Sequence, residues 1–172
     1  MAFRQAVKTT IAALFFLGAT VLPMRAERPL PHKLTAAILV KLIEFEKRAE
    51  SDKSLSIHVV GDSILAGVLR EMIGAKSGRR VLGTVTEGDA LPESQVDVVL
   101  VAKSDNLESI LDQARARGIM SASNSRRLAE DGISISIFDD EGMPGVMLNR
   151  SASKQEGLTW QPEILEIARV LP

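Results

Sequence analysis

The chain has 172 residues, 45% of them hydrophobic and 25% charged, with a formal net charge of −1. That balance fits one globular domain with its own core, and without clustered Lys or Arg it argues against a nucleic-acid partner. Aromatic content is 3% with no Tyr, so base-stacking platforms are lacking, and the absence of Cys excludes disulfides and thiol-based redox sensing.

Residues 1–26 have the three-part layout of a secretory signal peptide: Arg4 and Lys8, then the apolar run Ile11 to Leu22, then Pro-Met-Arg-Ala ending at Ala26. The run is shorter than a helix needs to cross a bilayer core. Removing this leader takes away Arg4, Lys8 and Arg25 and no acid, which leaves 18 basic and 22 acidic side chains. Export to the periplasm is the expected localisation, with residues 33–172 forming the working domain.

Lys33 to Arg48 predicts a helix. Leu34, Ile38, Leu42 and Phe45 recur at three- and four-residue steps and form its expected inner stripe. Leu39 and Ile43 then fall on the outer side and become candidates for partner binding. Leu55 to Gly61 predicts a buried strand, and Asp62 or Ser63 caps the following helix, with Ile64, Leu65, Val68, Leu69 and Met72 facing inward. Further strands are predicted near Val81 to Val85, at Val96 to Ala102 and at Ile119 to Ala122. Between the last two, Ser104 or Asp105 caps a helix through Leu107, Ile110, Leu111 and Ala114 that stops at Arg117-Gly118.

After residue 132 the pattern alternates, predicting a hairpin of Ile133 to Phe138 with Val146 to Asn149 around the turn Asp-Asp-Glu-Gly. Amphipathic pieces at Ala152 to Gly157 and from Pro162 onward close the chain, the second read as a helix. The expected architecture is α/β: a mostly parallel sheet flanked by helices in a Rossmann-like three-layer arrangement, with a C-terminal antiparallel hairpin.

The stretch Val-Val-Gly-Asp-Ser-Ile-Leu-Ala-Gly, Val59 to Gly67, resembles the elbow on which GDSL-type esterases present a nucleophilic serine. Activation needs a histidine to take the proton and an acid to orient it. The two histidines, His32 and His58, both precede Ser63, and no Asp-x-x-His follows it. The same stretch is read more simply as a tight turn at Gly61 and a helix cap, so no catalytic residue is assigned. Two histidines without metal-ligand spacing give no transition-metal site, and Phe-Asp-Asp-Glu-Gly lacks the regular spacing of a calcium loop. No cofactor is expected.

Five segments in order carry a family resemblance: Leu42 to Glu46 (LIEFE), Val59 to Asp62 (VVGD), Val98 to Ala102 (VVLVA), Val146 to Asn149 (VMLN) and Glu163 to Ala168 (EILEIA). Together they resemble the YfiR family of periplasmic proteins along nearly all of Lys33 to Leu171. Phe45 and Glu46 stand where that family tends to have Trp and Pro, and the disulfides of some members cannot form here. The resemblance implies a non-enzymatic regulator that binds the periplasmic domain of a membrane sensor, typically a diguanylate cyclase in cyclic-di-GMP and biofilm signalling, or here a kinase. A homodimer is also compatible with it. The alternative is a periplasmic small-ligand protein feeding a sensor kinase. Its anion site would lie at the carboxyl ends of the parallel strands, on Asp62, Ser63, Lys103, Ser104 and Arg126.

Overall fold

In the computed structural model, residues 29–47 and 54–172 are described. The expected leader, residues 1–26, lies outside them. Helix α1 spans His32–Ile43. Strand β1, Leu55–Val60, runs through Gly61 into helix α2, Ser63–Glu71. A two-residue strand β2, Lys76–Ser77, pairs antiparallel with β3, Arg80–Glu87. Then come β4 (Val98–Val101), α3 (Leu107–Arg117), β5 (Met120–Ser123) and the short α4 (Arg126–Glu130). The hairpin is β6 (Ile135–Asp140) with β7 (Met143–Asn149), followed by α5 (Arg150–Gln155), α6 (Ile164–Ile167) and β8 (Ala168–Leu171).

One eight-stranded sheet joins all of these strands in the order β2-β3-β1-β4-β5-β6-β7-β8. From β3 to β6 every pairing is parallel; β6 and β7 are antiparallel, and β8 returns parallel to β7. This is the expected mixed α/β sheet. Alternation of side chains along each strand feeds a core on each face. Val98 and Leu100 of β4 join α1 and α2 on one side, whereas Val99 and Val101 pack with Ile110, Leu111 and Ala114 of α3 on the other. The hairpin turns through Glu141 at φ 57° and Gly142 at φ 94°, the pair of positive φ values that matches the twist of flanking strands. The Asp139 carboxylate accepts the Gly142 N–H at 2.6 Å, so the acidic turn has a structural use.

Two expectations are corrected. The last amphipathic piece is not one helix: α6 has four residues and the chain then extends as β8. Strand β8 pairs with β7 beyond the hairpin, so among the described residues the sheet ends at β2 and β8. Helix α1 is also phased differently. Thr35, Ala36, Leu39, Val40, Leu42 and Ile43 are its buried residues, while Leu34 is 38% exposed. The helix lies against α2 and reaches β6, and this wide cover buries the side expected to face outward.

Candidate functional site

Strand order reverses about β1, since the chain passes from β1 to β3 on one side and then to β4 on the other. In such sheets the loops at the carboxyl ends of those strands commonly part to form a ligand crevice. Here they meet. Gly61 has φ +79°, and a Cβ built on it would lie 2.0 Å from the Lys103 carbonyl oxygen. The two loops are therefore in backbone contact where a crevice would open.

The five residues expected to hold an anion do share this end of the sheet, but most have internal roles. Asp62 is the N-cap of α2: one carboxylate oxygen accepts the Leu65 N–H at 2.9 Å, and the other lies 3.0 Å from His32 Nε2. Ser104 Oγ accepts the Asn106 N–H at 3.0 Å, and Asn106, not Ser104 or Asp105, is the N-cap of α3. Arg126 opens α4, lies 3.6 Å from Glu130 and stacks over the Phe138 ring at 5.7 Å from its centroid. Ser63 and Lys103 are exposed.

The elbow does receive a histidine, one that chain order did not suggest. Helix α1 carries His32 to Asp62, next to Ser63. The arrangement is nevertheless not a triad, because Asp62 is engaged as a helix cap and no hydrogen bond joins the Ser63 hydroxyl to His32. The other histidine, His58, is 3% exposed in β1, with Nδ1 2.8 Å from Thr86 Oγ1. Burial lowers its pKa, opposed in part by a backbone hydrogen bond at Ala90. Among the described residues no cluster of His, Asp and Glu could hold a metal ion.

Leu39 and Ile43, the expected partner-binding residues, are 0% and 1% exposed. They belong to the same core cluster as Ile135 and Ile137 of β6 and cannot offer an outer face. Exposed apolar side chains gather instead at the end of the chain. Leu165 and Ile167 of α6 are 53% and 51% exposed and Val170 of β8 is 42% exposed, at the end of the sheet among the described residues.

A polar cluster that sequence reasoning missed lies inside. Glu156, the C-cap of α5, is 1% exposed. Its carboxylate accepts the Ser121 N–H at 2.9 Å and the Ser121 and Ser134 hydroxyls at 2.5 Å each, while Ser121 Oγ accepts the Ser134 N–H at 2.9 Å. One acid thus clamps β5 to the start of β6. Burial raises its pKa, and the serine hydrogen bonds and the positive charge of Arg115 pull the other way. A sequence signal existed: Met-Ser-Ala-Ser and Ser-Ile-Ser place four serines, all 0% exposed, in or just before strands whose neighbours are apolar. Buried hydroxyls need partners. In the other half of the sheet Asp97 binds Arg80 of β3 at 2.6 Å and accepts the Ser56 N–H and hydroxyl of β1 at 2.8 and 2.6 Å. Burial raises the Asp97 pKa, but these hydrogen bonds and the Arg80 charge outweigh it, and the net direction is down.

The C-terminal segment forms the walls of a cavity of about 580 Å³ between α5, residues 158–162 and α6. The same segment is stitched to the end of α1: Lys47 N–H donates to Thr159 O at 2.9 Å and Gln161 N–H to Phe45 O at 2.7 Å. Trp160 packs against the main core from this segment and lines the cavity.

The profile of the YfiR/HmsC-like family matches residues 32–169. No curated protein matches the sequence. Among solved structures, the crystal structure of a conserved domain protein from Vibrio cholerae O1 biovar El Tor strain N16961 superposes with a TM-score of 0.57 at 15% identity. The match covers 81% of this chain and 60% of that one, so the likeness is one of fold, and the chain spans less than two thirds of that protein.

Proposed function

The chain belongs to the YfiR/HmsC-like family, and on that premise we propose that it is an exported, non-enzymatic regulator that restrains a membrane diguanylate cyclase by binding its periplasmic domain. The family match across residues 32–169 is the observation that carries this reading. A docking regulator also needs surface that its own core does not consume. Among the described residues β8 is an end strand whose outer backbone N–H and C=O groups face no further strand, and beside them stand Leu165, Ile167 and Val170. A partner could add a strand there or cover the apolar side chains.

Deletion of the gene in its own host should raise cyclic-di-GMP, and a tagged copy should recover a membrane cyclase from detergent extracts. Ile167→Glu with Val170→Glu should abolish recovery while leaving thermal unfolding close to that of the parent, because both side chains are exposed. Unchanged cyclic-di-GMP on deletion, together with recovery of a sensor kinase or of a second copy of this chain alone, would overturn the cyclase reading. Recovery that persists in the double variant would move the contact away from β8.

A further inference from the structure

The cavity at the end of the chain combines features that a purely structural cleft does not need. Its volume of about 580 Å³ lies within the range of small-molecule sites. Leu148, Leu158 and Ile164 form a buried apolar floor, at 1%, 8% and 0% exposure. Arg150 and Lys154 of α5 line the same space. They are four residues apart and so share one helix face. Both are exposed, and neither takes part in an ion pair among the described residues. The lining has two cations and no Asp or Glu.

Two polar atoms make the case more specific. Ser153 is 2% exposed, lines the cavity, and its hydroxyl has no hydrogen-bond partner. The indole N–H of Trp160, which also lines the cavity, is likewise buried without a partner. Buried polar groups left unpaired are uncommon and unfavourable, and two of them on one cavity are donors that an incoming acceptor would satisfy. We infer that this cavity binds a small organic anion with an apolar body: the acid head held by Arg150 and Lys154 with donors from Ser153 or Trp160, and the hydrocarbon body laid over Leu148, Leu158 and Ile164.

This inference goes beyond the regulatory reading and does not depend on the identity of any protein partner. It also differs from an anion site at the carboxyl ends of the strands, where the Gly61 and Lys103 loops are in contact.

The purified protein provides its own probe, because Trp160 is the only tryptophan. Sodium octanoate should change Trp160 emission saturably, and calorimetry should give the same Kd. Acetate, which has the charge without the body, and 1-octanol, which has the chain without the charge, should each bind about tenfold more weakly or worse. Arg150→Glu with Lys154→Glu, both exposed, should keep the unfolding temperature and lose about tenfold or more of octanoate affinity, as expected for removing charge-assisted contacts. No saturable response to octanoate would overturn the inference, as would octanol binding equally well or a double variant with unchanged affinity. No partner is present in this assay, so its failure would leave the proposed regulation of a cyclase standing.

Discussion

Truncating Glu156 to Ala tests how strongly one buried acid holds the far half of the sheet together. The substitution orphans the Ser121 N–H, a buried donor bound at 2.9 Å, at about 1–3 kcal/mol. It also removes the acceptor of the Ser121 and Ser134 hydroxyls, each worth about 1 kcal/mol net, and leaves a void that adds about 1–2 kcal/mol. Relief of the carboxylate's own desolvation returns part of this, so the net loss should be about 3 kcal/mol, or roughly 6–12 °C in Tm for a domain of this size. Glu156→Gln keeps an acceptor for the Ser121 amide and the Ser134 hydroxyl and can donate to Ser121 Oγ, so its loss should stay under about 1 kcal/mol. The sign with pH follows from a folded-state pKa raised above the ordinary 4.5. The group's contribution is fully present below that value and is lost as pH rises through the folded pKa. Urea unfolding at pH 5 and pH 7.5 should therefore show a larger Ala penalty at pH 5. An Ala variant within about 0.5 kcal/mol of the parent at both pH values, or a penalty that grows toward pH 7.5, would refute the reasoning.

Asp97→Ala should destabilise by about 1.5–3 kcal/mol in urea unfolding, because the Arg80 guanidinium, 6% exposed, loses its carboxylate and keeps the Ser54 carbonyl. The contribution of Asp97, whose pKa is lowered, is present above the ordinary value of 3.8 and lost as pH falls through the folded pKa, so the gap to the parent should narrow in acid. Asp62→Ala should lose about 1 kcal/mol as the N-cap of α2, whereas Ser63→Ala should change stability by less than about 0.5 kcal/mol, since Ser63 is exposed and not the cap. A serine-directed fluorophosphonate should leave Ser63 unlabelled, and stoichiometric labelling would reinstate the hydrolase reading.

The parallel strands were legible because their residues allow little else: Val98 to Val101 is apolar on both faces and too short for a buried helix, and it is buried on both faces. Glu141-Gly142 was equally plain as a hairpin turn. The phase of α1 was not legible, because Ala36 to Val40 is apolar all round apart from its register and the helix is covered from α2 as well as from the sheet. Nor was β8. Ile164 to Val170 carries a helical spacing, but the strand is made by pairing with β7, from Val146 with Ala168 to Asn149 with Leu171, a long-range fact that local periodicity does not contain. At the carboxyl edge the sequence placed the right residues together but could not show that Asp62 and Ser104 are occupied as backbone acceptors. Glu156 escaped for the converse reason: an acid after an amphipathic stretch reads as solvent-facing until the serines it serves, 22 and 35 residues away, are in view.

The stitches from Lys47 to Thr159 and from Gln161 to Phe45 join the end of the first helix to the last third of the chain. Residues 158–162, one wall of the cavity, cannot swing away without also breaking backbone bonds to α1's end, so two regions more than a hundred positions apart in sequence share one local opening event. Amide protons at Lys47 and Gln161 then report the same equilibrium. Whatever steadies the cavity wall steadies the tail of the first helix too, and strain applied at either place is felt as a change in the other's rate of exposure to water.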